Sequence, residues 1–206
     1  SNQGYDNRIG NSYFWGIGIG KAVTDWLDID AEWTNYNTFH YQKEQSGSSN
    51  TVGYTGNKRV RYFDLNNNGF LANARLHLPR DWEWDMGCMT LGPFVGAGIG
   101  CGVNNTTHFY TVGHESGSGI GSTTSIGDPK GHVDFAWQAN VGLSLRPKNG
   151  KASYNFAYRY YDGGKFQGPN RVIDNTSGGR GEYVDVTPWE GRVKTNQFLF
   201  YITVEM

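Results

Sequence analysis

Three acids recur at every second position in one short segment: Asp28, Asp30 and Glu32. Arg75 and His77 repeat that spacing in a second segment, and Asp134, Arg159 and Glu205 fall in three others. A two-residue spacing puts side chains on one face of an extended strand and scatters them around a helix. Charges withdrawn from bulk water must be paired or hydrated. Acids on one strand that meet arginines on others therefore predict a polar network on a shared inner face. Such a network closes an interior as a plug, or lines it as a narrow pore or gate.

Other chemistry finds weaker support. Gly16-Ile17-Gly18-Ile19-Gly20-Lys21 and Gly96-Ala97-Gly98-Ile99-Gly100 have glycine at strict alternation. Neither has the spacing of a phosphate-binding loop. Asp64-Leu65-Asn66-Asn67-Asn68-Gly69 matches the first half of a calcium loop, but its twelfth position is Arg75 where a bidentate Glu is needed. The segment reads instead as an Asn-rich kink or bulge near the outer end of a strand. His40, His77, His108, His114 and His132 are scattered, with no zinc-ligand spacing. No nucleophile motif surrounds any serine. The expectation is a protein that is not an enzyme and takes no metal or cofactor.

Composition narrows the class. Glycine supplies 30 of the 206 residues, about twice its usual share. Aromatics make up 15%, too many for a disordered chain. Net charge is −1, which argues against nucleic acid as a partner. The longest mostly apolar run, Leu91–Val103, is interrupted by Pro93 and glycines and falls short of the ~20 residues of a transmembrane helix. Cys88 and Cys101 are too few for a disulfide scaffold.

The elements that must position the charged set are strands. Period-two alternation recurs in Tyr13–Val23, Leu27–Tyr36, Phe70–Leu78, Leu91–Val103, Val133–Leu145, Ala152–Tyr160 and Gln197–Met206. Seven strands of about ten residues each rise roughly 33 Å, and a tilt of ~40° leaves about 25 Å of height. The joins alternate. Thr24–Trp26, Pro79–Gly87 and Pro147–Gly150 are short or medium, and Asn149-Gly150 suits a hairpin. Gln42–Lys58, Asn105–Gly131 and Gly163–Arg192 are long and polar. Short turns on one rim and long loops on the other are the habit of membrane-spanning β-barrels.

Side-chain size decides which face is outside. The polar face is also the small one, rich in Gly, Ala, Ser and Asn, whereas Trp, Phe, Ile and Leu occupy the other. A barrel of about eight strands has little interior room, so the small polar face belongs inside and the large apolar face against lipid. Trp26, Trp82 and Trp84 near the short turns, with Tyr13, Trp15, Tyr62 and Tyr160 toward the long loops, suggest two aromatic girdles. The expected fold is all-β, an antiparallel up-and-down transmembrane β-barrel of about eight strands. It occupies residues 12–206 as one domain, and residues 1–11 read as an extracellular loop remnant.

Three stretches carry a family resemblance. Trp26-Leu27-Asp28-Ile29-Asp30-Ala31-Glu32-Trp33, Leu91-Gly92-Pro93-Phe94-Val95-Gly96-Ala97-Gly98-Ile99-Gly100 and Tyr154-Asn155-Phe156-Ala157-Tyr158-Arg159-Tyr160-Tyr161-Asp162 resemble strands of the OmpA-like and opacity-like, porin-family small outer-membrane barrels. The resemblance implies a Gram-negative outer membrane, a periplasmic C-terminus and extracellular long loops. It implies contact with outer-membrane lipid and lipopolysaccharide and with the barrel-assembly machinery. The alternating Phe198, Phe200, Ile202, Val204 and Met206 resemble the C-terminal signal read by that machinery, departing from it by ending in Met. The implied role is structural or surface-exposed, with loops free to bind. The alternatives are a small porin-like channel or an accessory subunit of a larger envelope assembly with a protein partner.

One expectation concerns closure. Tyr13–Val23 and Gln197–Met206 both run toward the short-turn rim. Single-chain bacterial barrels have an even strand number, yet seven strands are counted. The first strand of the barrel is expected to be missing from this chain and to come from upstream sequence, from a separate cleaved fragment or from a partner chain.

Overall fold

The computed structural model describes residues 12–45, 58–114, 121–148, 152–174 and 181–204. Seven long strands form one antiparallel sheet. They are β1 (Phe14–Thr24), β2 (Leu27–Gln45), β3 (Lys58–His77), β5 (Met89–His114), β7 (Lys130–Pro147), β8 (Ala152–Gln167) and β11 (Glu190–Val204). Four short strands complete the set: β4 (Trp84–Asp85), β6 (Gly121–Gly127), β9 (Arg171–Asp174) and β10 (Glu182–Asp185). A single 3-10 turn, Arg80–Trp82, precedes β4. No α-helix occurs among the described residues.

The long strands pair in the order β1-β2-β3-β5-β7-β8-β11, each with its successor in the chain. The sheet is an up-and-down meander. It is strongly curled: β8 and β11 reach β2 and β3 across the concave side, through Arg159 to Glu32, Gln197 to Tyr36 and Arg75 to Tyr201. It does not close. Among the described residues nothing pairs with the outer edge of β1 or of β11.

One rim carries short joins. Asp25 and Trp26 form the two-residue turn between β1 and β2. The other rim carries the long joins, and there the expected loops are partly strand. β6, β9 and β10 extend from the upper part of β5, pairing β5-β6-β9-β10 as a branch of the same sheet. The Asn149-Gly150 turn, the whole join between β2 and β3 and residues 1–11 lie outside the described residues.

The strands outrun the lengths expected from alternation, for an identifiable reason. β2, β5 and β8 all run toward the long-loop rim, and each carries a bulge. Asn37 and Thr38 together oppose Asn66; the pairing of β3 and β5 shifts between Tyr62 and Asp64; Gly163 is extra opposite Val193 and Lys194. An extra residue moves every later side chain to the opposite face. In β2 the inward residues are even-numbered through Tyr36 and then include Phe39. In β5 they are even-numbered through Thr106 and then include Phe109 and Thr111. Two residues near these shifts have left-handed backbone, His108 at φ 50° and Gly164 at φ 81°. Glycine accepts that conformation at no steric cost, whereas a histidine seldom adopts it.

The Asn-rich run shows no kink of its own; the bulges at its level lie in the neighbouring β2 and β5. Asp64–Gly69 is continuous strand, with Leu65, Asn67 and Gly69 facing inward. Asp64, Asn66 and Asn68 share the outer face at intervals of roughly 6.6 Å, too far apart for one calcium ion with ligands at about 2.4 Å.

Candidate functional site

Burial follows the expected faces in the half of the sheet nearest the short turns. Trp15, Ile17, Ile19, Ile29, Phe70, Val95, Ile99, Phe135, Val141, Phe156, Phe200 and Ile202 are exposed on the convex side. The concave side of the same half is charged. The spacing that places Asp28, Asp30 and Glu32 on one face of β2 also aims them at Arg75 and His77 on the neighbouring β3.

Nearest the short-turn rim, Asp28 Oδ2 lies 2.8 Å from His77 Nε2. Above it, Arg75 donates from Nη2 to Asp30 Oδ2 at 2.6 Å and from Nη1 to the Tyr201 hydroxyl at 3.0 Å. Asn73 Nδ2 donates to Asp30 Oδ1 at 2.7 Å and to Glu32 Oε2 at 3.1 Å. Arg159 is the hub. It is 1% exposed and donates from Nη1 to Glu32 Oε1 at 2.6 Å, from Nε to Gln197 Oε1 at 2.6 Å and from Nη2 to the Tyr36 hydroxyl at 3.2 Å. Gln138 joins both sides, donating to Asn73 Oδ1 at 2.7 Å and to Glu32 Oε2 at 3.0 Å. Two carboxylates and two guanidiniums thus neutralise one another through charge-assisted hydrogen bonds, the condition for keeping such groups out of water.

The glycine stripe of β5 makes room for this network. A Cβ on Gly98 would collide with Asn73 Oδ1, and one on Gly96 would sit 2.6 Å from Asn140 Oδ1. At Gly100 the obstacle is the Phe70 carbonyl oxygen, which is backbone and cannot move aside. Alternating glycine is therefore a packing requirement of the charged interior.

Two expected members stand apart. Asp134 lies toward the long-loop end, where it accepts from the Lys165 backbone N–H at 2.7 Å and lies 3.9 Å from Arg192. It does not join the Arg159 hub, because β7 carries it four residues above Gln138, the strand's contribution to that hub. Glu205 lies outside the described residues, as does Met206. Phe198, Phe200, Ile202 and Val204 all project from the convex face of β11.

Sequence reading passed over Glu83. Its carboxylate is almost fully buried, accepts from Thr90 Oγ1 at 2.5 Å and lies 3.4 Å from Arg146 Nη1. It comes from the join after β3 and folds in over Gly92, where a Cβ would meet its side chain at 2.8 Å. No alternation marks a residue in a turn. The only signal was the glycine opposite.

Above the charged tier sits a neutral one. Tyr161 donates to Asn67 Oδ1 at 2.9 Å, Asn67 Nδ2 donates to Asn104 Oδ1 at 2.8 Å, and Asn104 Nδ2 donates to the Gly163 and Lys165 carbonyls, each at 2.9 Å. Gly69 leaves the space into which the Tyr161 hydroxyl fits. Above this tier the interior turns apolar, with Phe39, Phe63, Leu65, Phe109, Phe166 and Val193 packed against Trp189.

Below these layers the concave side encloses a cavity of about 1480 Å³. It is lined by the charged tier and opens sideways between β1 and β11. Every carboxylate of the hub is engaged, and no cluster of three or more metal-ligating side chains occurs among the described residues. The arrangement matches its own charges and ties β8 and β11 to β2 and β3. Comparison with family models, with curated proteins and with solved structures finds no match to this chain.

Proposed function

We propose that this chain is an outer-membrane β-barrel protein with a structural or surface-exposed role, its long-loop rim extracellular and its C-terminus periplasmic. One observation carries the reading: the half of the sheet near the short turns is inside-out for a protein in water. Its convex face exposes a continuous belt of Trp, Ile, Val and Phe, and its concave face buries Arg159 and half-buries its partner Glu32. Exposed apolar patches beyond a few hundred Å² mark a surface that meets something other than water. Lipid on the convex side satisfies both faces at once.

The resemblance of residues 26–33, 91–100 and 154–162 to OmpA-like strands points the same way. The partners this implies are outer-membrane lipid, lipopolysaccharide and the machinery that assembles barrels. The plug reading is favoured over the channel by the side-chain tiers above the cavity. The Asn67–Asn104–Tyr161 layer and the aromatic core stand between the cavity and the long-loop rim.

Extraction from native membranes and electrophoresis in SDS test the reading. The unboiled protein is expected to migrate as a compact species and to shift on boiling. Recovery in the soluble fraction, or identical migration with and without boiling, overturns it. Planar-bilayer conductance separates plug from pore, the plug giving no steady channel.

A further inference from the structure

We propose that the gap between β1 and β11 is a built slot for one further transmembrane strand of the same polypeptide, preceding β1 and running from the short-turn rim to the long-loop rim. The proposal rests on the barrel reading above and adds to it the identity of what completes the wall.

Direction comes first. All six pairings between successive long strands are antiparallel. Seven strands joined this way leave the two edge strands running the same way, so β1 and β11 can meet directly only as a parallel pair. A single intervening strand is antiparallel to both and restores the alternation around the ring. In hydrocarbon each unsatisfied backbone group costs several kcal/mol, so two bare edges of about eleven residues demand a partner.

The size of the slot follows from the curl. Arg159 and Gln197 already bridge to Glu32 and Tyr36, and Arg75 to Tyr201. These ties fix the radius of the sheet and leave no room for the seven strands that a second copy would add. The cavity opens along this gap, lined by residues of β1 from Phe14 to Lys21 and of β11 from Lys194 to Val204. Those two stretches face each other for the length of the apolar belt.

The chemistry of the occupant is set by its neighbours. On the convex side it lies between Trp15, Ile17 and Ile19 of β1 and Phe198, Phe200 and Ile202 of β11, so its outward residues are large and apolar. On the concave side it lies between Gly16, Gly18 and Gly20 and Gln197, Leu199, Tyr201 and Thr203. The ion pairs behind it are already matched, so its inward residues are small and uncharged.

The source follows from the meander. Every long strand neighbours the next in the chain, and Ser12 begins at the long-loop rim, where its hydroxyl donates to the Asn37 carbonyl at 2.8 Å. A preceding strand that rises to that rim arrives on the side where Ser12 enters β1.

Three measurements on protein extracted from native membranes test this. The intact polypeptide is expected to exceed 23.0 kDa, with about ten alternating apolar and small residues ahead of residue 1. Cutting at a protease site placed within residues 1–11 is expected to leave that strand bound until the sample is boiled. Cysteine pairs at Ile17 or Ile19 with Phe200 or Ile202 are expected to form no disulfide. One intervening strand holds the backbones about 9–10 Å apart, beyond the ~7 Å limit of a disulfide.

A mature chain that starts at Ser1 overturns the proposal, whether the slot is then filled by a second copy, by another polypeptide or by a strand following Met206. Ready disulfide formation across the gap also overturns it. If the protein shows no heat shift and is not held in membranes, the barrel reading has failed. If it is membrane-held and heat-shifted but the strand is absent, this proposal alone has failed.

Discussion

The two halves of this sheet use the same alternation with opposite polarity. Near the short turns the convex face is Trp, Ile and Phe, and the concave face is Asp, Glu and Arg. Near the long loops the convex face carries His40, Asp64, Asn66 and Gln42, while Phe39, Phe63, Leu65, Phe109 and Phe166 fill the concave face. The upper half is built like a water-soluble protein, and its polar surface is organised accordingly: Asp64 accepts from His40 and His108 at 2.6 and 3.0 Å. The contrast teaches that strand alternation fixes only which residues share a face. The medium around each half decides which face is apolar. The changeover falls at the bulges of β2, β5 and β8, which shift the alternation of each rising strand as it leaves the belt.

The sharpest way to break the comparison is through the two interiors. Arg159→Met leaves the part-buried Glu32 carboxylate without its cation and is expected to cost about 3–5 kcal/mol in urea unfolding from lipid vesicles. Adding Glu32→Gln is expected to recover much of that loss. A single substitution without effect would show that the hub is hydrated and contributes no pairing.

The two exteriors should respond differently to the same arginine. Val141→Arg or Ile202→Arg, on the convex face of the lower half, is expected to cost about 2–4 kcal/mol if the position lies near the bilayer midplane. Gln42→Arg, on the convex face of the upper half, is expected to stay within about 0.5 kcal/mol. Equal responses at the two heights would remove the boundary between the halves.

The boundary itself is polar and buried. Asn67→Ala leaves Asn104 and Tyr161 each short of a partner and is expected to cost about 1–3 kcal/mol. It is also expected to let water pass between the tiers, read as faster amide exchange at Tyr161 and Gly163. Unchanged exchange would mean that the aromatic core alone seals the interior.

Much of the lower half was legible in the residues. Asp28, Asp30 and Glu32 could be assigned to the inner face because alternation there is unbroken, and the small residues opposite the large ones told inside from outside. The upper half was not legible for the same reason in reverse. Expected strands ended at Tyr36, Val103 and Tyr160, each shortly before a break in the pairing, because an inserted residue erases the period being read. The Asn-rich run of β3 looked like a kink or bulge because asparagine disfavours strands. Its Asn67 is held there by Asn104 and Tyr161, partners 37 and 94 residues away. Glu83 was invisible because a turn has no period. Asp134 was assigned to the network by its face alone, and height along the strand separated it.

The smallest expected effect compares the two rims in acid. At the short-turn rim Asp85 accepts from Lys148 Nζ at 2.6 Å, and that hydrogen bond, with one from the Gly87 backbone N–H, holds its carboxyl below the ordinary value of 3.8. At the long-loop rim Glu190 accepts from Gln167 at 3.0 Å and lies 3.4 Å from Lys165, which lowers its carboxyl below 4.5. A carboxyl whose folded value is depressed adds stability that is fully present above its unfolded value. That stability is lost as pH falls through the folded value. Both groups are fully exposed, so solvent screens the pairs and the contribution of each is small. Asp85→Asn and Glu190→Gln are therefore each expected to lower the unfolding midpoint slightly at pH 7. The difference from the unsubstituted protein should fade once the pH is below both carboxyl values. Added salt should shrink it at neutral pH, equally at the two rims, if both lie in water beyond the belt as the proposed barrel requires. A difference that survives in acid would place its origin in packing. A salt response confined to one rim would show that the other is shielded by lipid headgroups, and would move the edge of the belt toward it.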